Sequence, residues 1–334
     1  MTMRAVVQDR YGAPEEVLEG RRIERPEIGH DEVLVRVHAA GLHVGDCFGV
    51  RGAPWPVRLM TGLRRPKYGV PGLDVAGQVE AVGSRVTRFQ PGDEVFGACN
   101  WPSAGACAEY AAADEDKLVS KPANLTFEEA AAIPTSALAA LHGLRDAGAL
   151  KPGQRLLING ASGGVGTFAV QIAKALGAEV TGVCSTANVA MVRSLGVDHV
   201  IDYTKADFTR GVLRYDLILD NVENRSLSDV RRVLEPRGTL VLNSGTGASG
   251  PKLMLRLVRP VVLSRFVRHQ LRRYLSNPNR ADLEVLKALV EEGKLKPVID
   301  RSFPLAETPA ALRHIEAGHA RGKVVIAVPQ PSAS

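Results

Sequence analysis

Short runs of alternating apolar and polar residues, broken by Gly and Pro, mark the first third of the chain. Val33-Leu-Val-Arg-Val-His38 alternates clearly, Asp93-Glu-Val-Phe-Gly97 more weakly, and Met1-Thr-Met-Arg-Ala-Val begins like an edge strand. Punctuation at Pro71-Gly72, Pro91-Gly92 and Pro102 predicts short strands and turns rather than helices. Residues 46–50 read as one short helix, and 54–67, without a clear period, as a long surface loop.

From residue 124 the pattern changes. Asn124-Leu-Thr-Phe-Glu-Glu128 resembles a helix start, with an Ala-rich helix running to about Ala147. Strand and helix then alternate: strand 155–159, helix 165–177, strand 179–184, helix 187–195, strands 199–202 and 216–220, helix 226–234 and strand 239–243. Residues 261–267 are available as a sixth strand. This alternation predicts an α/β fold with a doubly wound parallel sheet. The tail, with helix 282–291, extended 297–303, helix 307–317 and strand 323–328, lacks crossover helices and is expected to return to the first domain. The resulting division is residues 1–124, 125–267 and a C-terminal return over 268–334.

At 334 residues the chain exceeds one ordinary core, which agrees with two domains. No apolar run is long enough to cross a bilayer and no signal peptide is visible, so a cytoplasmic protein is expected. Cys47, Cys99, Cys107 and Cys184 include no C-x-x-C pair and read as reduced and mostly buried. The net charge of +6 suits an anionic ligand. With only 5% aromatic residues and none interleaved with the basic ones, no specific nucleic-acid partner is expected.

The chemistry concentrates where Arg155-Leu-Leu-Ile-Asn159 runs into Gly160-Ala-Ser-Gly-Gly-Val-Gly166 and then a helix. A strand, a glycine turn and a helix N-terminus make an anion site, because the backbone can approach a pyrophosphate and the unpaired N–H groups stabilise its charge. Gly160, Ser162, Gly163, Gly164, Val165 and Gly166 are therefore candidate dinucleotide contacts. An acid about 20 residues further on would select the ribose 2′-hydroxyl of NAD. The second strand instead ends in Ser185-Thr186 without a carboxylate, which favours NADP(H). Arg193 is either a phosphate partner or part of a solvated helix face, and Tyr203 follows the third strand. Asn221 and Asn243-Ser244-Gly245 end the fourth and fifth strands, where a cofactor lies in such sheets.

The run Gly153 to Lys174 resembles the quinone oxidoreductase (zeta-crystallin) signature of the medium-chain dehydrogenase/reductase superfamily. Val37-His-Ala-Ala-Gly-Leu-His-Val-Gly-Asp46, Pro71-Gly-Leu-Asp-Val-Ala-Gly-Gln-Val79, Gly92-Asp-Glu-Val95 and Gly322-Lys-Val-Val-Ile326 extend the resemblance over nearly the whole chain. The resemblance implies a GroES-like β-rich catalytic domain and a Rossmann domain with strand order 3-2-1-4-5-6. It also implies a substrate cleft between them, a homodimer through the sixth strands, and hydride transfer to a small quinone, enone or carbonyl. Alternatives are an NADP-dependent alcohol dehydrogenase or carbonyl reductase, and a cofactor-binding regulatory or RNA-binding protein of zeta-crystallin type.

Zinc alcohol dehydrogenases carry Cys-x-x-Asp and Gly-His-Glu where this chain has His43-Val-Gly-Asp46 and Gly72-Leu73-Asp74. Leu73 cannot ligate a metal, so no metal site is expected. His43 stands where the family usually has Asn. It either donates to a developing oxyanion or only orients substrate. Asp46, its candidate catalytic companion, fixes the local helix start or orients His43. Ala139 replaces a common Thr near the nicotinamide, leaving the backbone or Thr135 and Ser136 to serve. Lys323 is a cofactor contact by family analogy, or a strand-edge charge. The stretch 251–280 carries eight basic residues and no acid. It reads as a solvated face, as a membrane or RNA patch, or as a border of the active-site cleft with Met254 and Leu257 lining it.

Overall fold

The alternating strands of the N-terminal third assemble into a mostly antiparallel sheet that the C-terminal tail completes. The computed structural model describes residues 1–67, 69–100, 105–243, 263–264, 267–318 and 320–330. The chain forms two compact units, Met1–Leu138 with Asn277–Gly293 and Pro297–Ser334, and Ala139–Ser276 with Lys294–Lys296.

The first unit opens with a hairpin of β1 (Thr2–Val7) and β2 (Glu19–Glu24). Its main sheet contains β3 (Glu32–Leu42), β4 (Asp74–Val82), β5 (Glu94–Ala98), β6 (Tyr110–Asp114) and β7 (Leu118–Ser120). The tail adds β14 (Ile299–Pro304) and β15 (Lys323–Ala327), in the order β14-β15-β3-β4-β5-β7, with β6 also paired to β3. The expected return of the tail is thus made by β15, which runs antiparallel to β3 with Val324 opposite Leu42. Its core holds Val33, Val35, Val37, Val75, Val95, Leu118 and Ile326, the inward set of the alternating strands.

The second unit is a six-stranded, wholly parallel sheet. Its strands are β8 (Arg155–Asn159), β9 (Glu179–Cys184), β10 (His199–Asp202), β11 (Tyr215–Asp220), β12 (Leu234–Leu242) and β13 (Gln270–Arg273). The order β10-β9-β8-β11-β12-β13 is the expected 3-2-1-4-5-6. Near-continuous apolar runs such as Leu156-Leu157-Ile158 and Leu217-Ile218-Leu219 are buried on both faces, as a parallel sheet requires.

Several sequence expectations shift. The sixth strand is Gln270–Arg273, not 261–267. Leu271 alone of its side chains points into the core, between polar neighbours, while Leu263 and Val267 pack partly buried against that core. The single Ala-rich helix becomes Phe127–Ala131, Pro134–Leu141 and a π-helical segment His142–Ala147. Pro134 lacks an N–H donor and disfavours helical geometry just before it, which breaks the run. Thr126 caps the first piece through a reciprocal box with Glu129, and that piece packs on β3 and β4. The units accordingly divide at Leu138/Ala139 and Ser276/Asn277 rather than near Asn124 and 268. The loop 54–67 contains a short helix, Val57–Thr61, with Trp55, Leu59, Met60 and Leu63 exposed.

Of the basic stretch, 251–262, 265 and 266 lie outside the described residues, and with them Met254 and Leu257. Of its later arginines, Arg268, Arg272 and Arg280 are exposed, as a solvated face requires, while Arg273 turns inward. Arg273 pairs with Glu223 at 2.6 Å, largely buried, and the Arg272 Nη1 donates to the Ala147 carbonyl at 2.7 Å. Their partners come from distant sequence, which a local charge reading cannot see.

Candidate active site

In the first unit, β3 ends at Leu42 and the chain turns directly into helix Val44–Arg51. His43 is the N-cap, where a side-chain acceptor satisfies an orphan helix donor. Its Nδ1 accepts the Gly45 N–H at 2.9 Å, and its own N–H donates to Asp46 Oδ2 at 2.9 Å. With Nδ1 accepting, the neutral ring carries its proton on Nε2. That Nε2 is buried, 3.5 Å from Asp46 Oδ2, and makes no hydrogen bond. A buried donor without an acceptor costs stability and is uncommon in native proteins. Here, among the described residues, it leaves one donor that the protein does not use.

Asp46 has both carboxylate oxygens engaged by backbone, Oδ2 with His43 N–H and Oδ1 with Gly72 N–H at 3.1 Å. This makes it a positioning residue that fixes the helix start, not a group poised for proton transfer. Beside it lies a network of residues whose mutual pairing sequence reasoning missed. Asp74, fully buried, accepts the Thr135 N–H at 3.0 Å and Thr135 hydroxyl at 2.5 Å, and the Lys323 ammonium stands 3.4 Å from its other oxygen. Lys323 also donates to Ser136 Oγ at 3.1 Å. Burial pushes the Asp74 carboxyl up, opposed first by the charge of Lys323 and also by the Thr135 bond. Lys323 is therefore a buried, paired cation rather than a strand-edge charge. Thr135 and Ser136 are likewise held within this network. Among the described residues no group of three His, Cys, Asp or Glu side chains is placed to hold a metal ion.

In the second unit the glycine turn lies where strand order reverses, between β8 and β11. Their carboxyl ends are tied together, the Asn159 Nδ2 donating to Asp220 Oδ1 at 2.8 Å. Gly160 adopts φ +82°, a left-handed turn that glycine alone takes readily. Helix Gly164–Ala175 follows with Gly163 as N-cap, and Thr167 makes the first helical bond back to Gly163. The N–H groups of Gly164, Val165 and Gly166 precede that bond and are left for a ligand. A Cβ at Gly163 would meet only the Gly160 carbonyl, at 3.6 Å, whereas one at Gly166 would strike the same oxygen at 2.0 Å. Glycine at 163 is not demanded by the protein's own packing, and its open side fits a pyrophosphate. Ser162 accepts from Asn188 Nδ2 at 3.0 Å, linking the turn to the segment after β9. At the ends of β11 and β12, Asn243 donates to Asn221 at 2.8 Å, and the Asn221 amide nitrogen is buried without a partner among the described residues. Ser244 and Gly245 lie outside the described residues.

A cavity of about 460 Å³ near the end of β9 is lined by Thr186, Arg193, Asp202 and Lys205, with Val189 and Val200. Arg193 thus lines a cavity rather than a plain helix face. Tyr203 is half exposed, and Ser185 does not line this cavity. The absence of an acid at the end of β9 needs correction. Asp202, in register with Cys184 on the neighbouring strand, brings a carboxylate there. The Thr186 hydroxyl donates to it at 2.5 Å, and this bond, with those from Thr204, holds Asp202 well below the ordinary carboxylate range. Thr186 is therefore already engaged, and the cations lining the cavity are Arg193 and Lys205, the latter 3.7 Å from Asp202. Strand order 3-2-1 carried the signal, since it sets the third strand's end beside the second's.

A GroES-like sheet and a parallel sheet with a glycine cradle at its switch point together define the two-domain dinucleotide oxidoreductases. Residues 29–123 match the family described as alcohol dehydrogenase GroES-like domain, and residues 195–326 that described as zinc-binding dehydrogenase. The chain is 33% identical to the chloroplastic quinone-oxidoreductase homolog of Spinacia oleracea, covering 97% of this chain and 98% of that one. It is 32% identical to the chloroplastic NADPH-dependent alkenal/one oxidoreductase of Arabidopsis thaliana, over 97% and 79%. The solved quinone oxidoreductase from Coxiella burnetii superposes with a TM-score of 0.84 at 32% identity, covering 98% and 100%. The chain belongs to the quinone oxidoreductase-like branch of the medium-chain dehydrogenase/reductase superfamily, and it is an oxidoreductase.

Proposed function

We propose that this oxidoreductase uses NADPH to reduce the activated C=C bond of an α,β-unsaturated carbonyl or a quinone, without zinc. The observation that carries the reading is the buried, unpartnered Nε2–H of His43, a hydrogen-bond donor held by its own helix cap. The Gly160–Gly166 cradle would hold NADPH, which would supply the hydride, the accompanying proton coming from water. His43 donates to the oxygen on which negative charge develops, a role a Lewis acid would otherwise fill. Asp46 holds the ring in place through the backbone. Leu73, where zinc alcohol dehydrogenases carry His, removes a ligand from any zinc set. Arg193 and Lys205 support a 2′-phosphate, with Asp202 already engaged by Thr186. The names of the spinach and Arabidopsis relatives are consistent with this substrate class.

Steady-state assays test it. NADPH oxidation with an enone or a benzoquinone should exceed NADP⁺ reduction with the matching saturated alcohol, and a chelator should leave the rate unchanged. Faster alcohol oxidation would replace this reading with an alcohol dehydrogenase. By fluorescence titration NADPH should bind about tenfold tighter than NADH, the scale of one charge-assisted contact. Arg193→Gln should narrow that ratio, and Asp202→Asn should widen it by removing the carboxylate. Equal affinities for the two cofactors in the unmodified protein would sink the NADPH assignment.

His43 is tested separately. His43→Ala should lower kcat and kcat/KM together, by about 10²-fold, if its donor acts in the transition state. A rise in KM with kcat intact would reduce it to an orienting residue.

A further inference from the structure

The first unit contains a second cavity, of about 270 Å³, whose walls include Arg4, Arg22, Arg25, Arg36, Glu109 and Tyr110. None of these residues belongs to the His43 cluster. Arg36 lies seven positions before His43 along the chain, nearly all of it β3, so roughly 20 Å separates the two sites. We propose that this cavity binds a small phosphate-bearing anion, a phosphomonoester or a diphosphate.

Charge is the first argument. Two carboxylates approach the four guanidiniums. Glu109 is taken by Arg4, through its Nε at 2.7 Å and its backbone N–H at 2.7 Å, and Glu80 is reached by Arg25 at 3.3 Å. Arg36 donates only to the neutral Gln78. Arg22 has no carboxylate within ion-pair range among the described residues, although its charge helps hold Glu109 ionised. About two positive charges remain, which is the charge of a phosphomonoester near neutral pH, ~1.5 to 2.

Strand register is the second. Arg4 and Arg22 are directly opposed across the β1–β2 hairpin. Like charges in directly opposed positions destabilise an antiparallel pair, and an anion between them removes that cost. Arg25 is preorganised, with its guanidinium 3.7 Å from the centroid of the Tyr110 ring and bonded to the Tyr110 hydroxyl at 2.8 Å. Among the described residues the Nε atoms of Arg25 and Arg36 are buried without partners, so both forks keep donor capacity that these residues do not use. Planar forks of this kind match phosphate oxygens two at a time, which selects phosphate over a monovalent ion.

Binding of inorganic phosphate and of pyrophosphate to the full-length protein, followed by calorimetry and by thermal shift, tests the assignment. Pyrophosphate should raise Tm beyond sodium chloride of equal ionic strength. Arg22→Gln, at an exposed strand position, should weaken pyrophosphate binding at least ~tenfold, the loss expected for one charge-assisted hydrogen bond. Arg36→Gln should do the same, and Arg193→Gln should not, because the dinucleotide unit is a separate place where pyrophosphate could settle. NADPH affinity should be unchanged in Arg22→Gln. A Tm shift no larger than that from chloride would overturn the proposal. So would a pyrophosphate affinity that Arg22→Gln leaves intact, or an equal response to citrate, which carries carboxylates only. These readouts need no turnover, so they stand or fall independently of the redox reaction.

Discussion

Replacing Lys323 by Met is expected to lower unfolding free energy by about 3–5 kcal/mol, the usual consequence of stranding one member of a buried ion pair. Lys323 is 2% exposed and Asp74 not at all. The carboxylate would keep its two Thr135 bonds and lose its only cation within 4 Å among the described residues. The loss should depend on pH in a definite direction. Burial already pushes the Asp74 carboxyl up, and Lys323 is the largest influence opposing it. Without that ammonium the folded state holds the proton more tightly than the unfolded chain. Stability of the variant is then fully present below the unfolded carboxylate value of about 4 and is lost as pH rises through the higher folded value. Urea unfolding at pH 5 and pH 8 should show the larger deficit at pH 8. Lys323→Met combined with Asp74→Asn should recover most of it, since Asn can still accept from Thr135. A deficit below about 1 kcal/mol at both pH values would mean the pair is not the buried anchor described.

That anchor also shows what was and was not legible in the sequence. The glycine cradle, five of the six parallel strands and the return of the tail could be read because each rests on local signals. These are a period of two, a continuous apolar run, or a turn of special residues. Asp74 and Lys323 lie 249 residues apart, each within a recognisable motif, but nothing local marks them as a pair. They meet because Asp74 pairs with Gly41 on one side of β3 while Val324 pairs with Leu42 on the other. Asp202 was missed for the same kind of reason. It ends the third strand, and only the lateral order of strands sets it against Thr186 from the second. Asp46 was found by motif, but its role followed from where the two oxygens went, to the N–H groups of His43 and Gly72. Sequence patterns thus located the elements and the residues next to turns. Pairings across strands, which decide charge and hydrogen bonding around Asp74 in the first unit and Asp202 in the second, became visible only with the register.

The glycines of the cradle offer a comparison in which the same small change has two different consequences. Gly163→Ala should leave the fold intact and weaken dinucleotide binding by on the order of tenfold to hundredfold, a cost of about 1–3 kcal/mol for filling occupied space. Gly163 has φ −83°, which alanine adopts without strain, and the new methyl group would meet only the Gly160 carbonyl oxygen, at 3.6 Å. The methyl would therefore occupy the room needed by a pyrophosphate lying against the helix N-terminus. Gly166→Ala should instead destabilise the protein even without cofactor. Its methyl group would stand 2.0 Å from the Gly160 carbonyl oxygen and 2.8 Å from Ala161 backbone atoms, which have no rotamer by which to move away. The turn must open, and unfolding free energy should fall by about 1–3 kcal/mol as binding is lost with it. Thermal unfolding of the cofactor-free variants, set beside their NADPH dissociation constants, separates the two effects. If Gly163→Ala binds NADPH as tightly as the unmodified protein, the open side of that turn does not face the cofactor's phosphates, and the cradle assignment fails. If Gly166→Ala unfolds at the unmodified temperature, the close approach of the helix to Gly160 is not what fixes the turn.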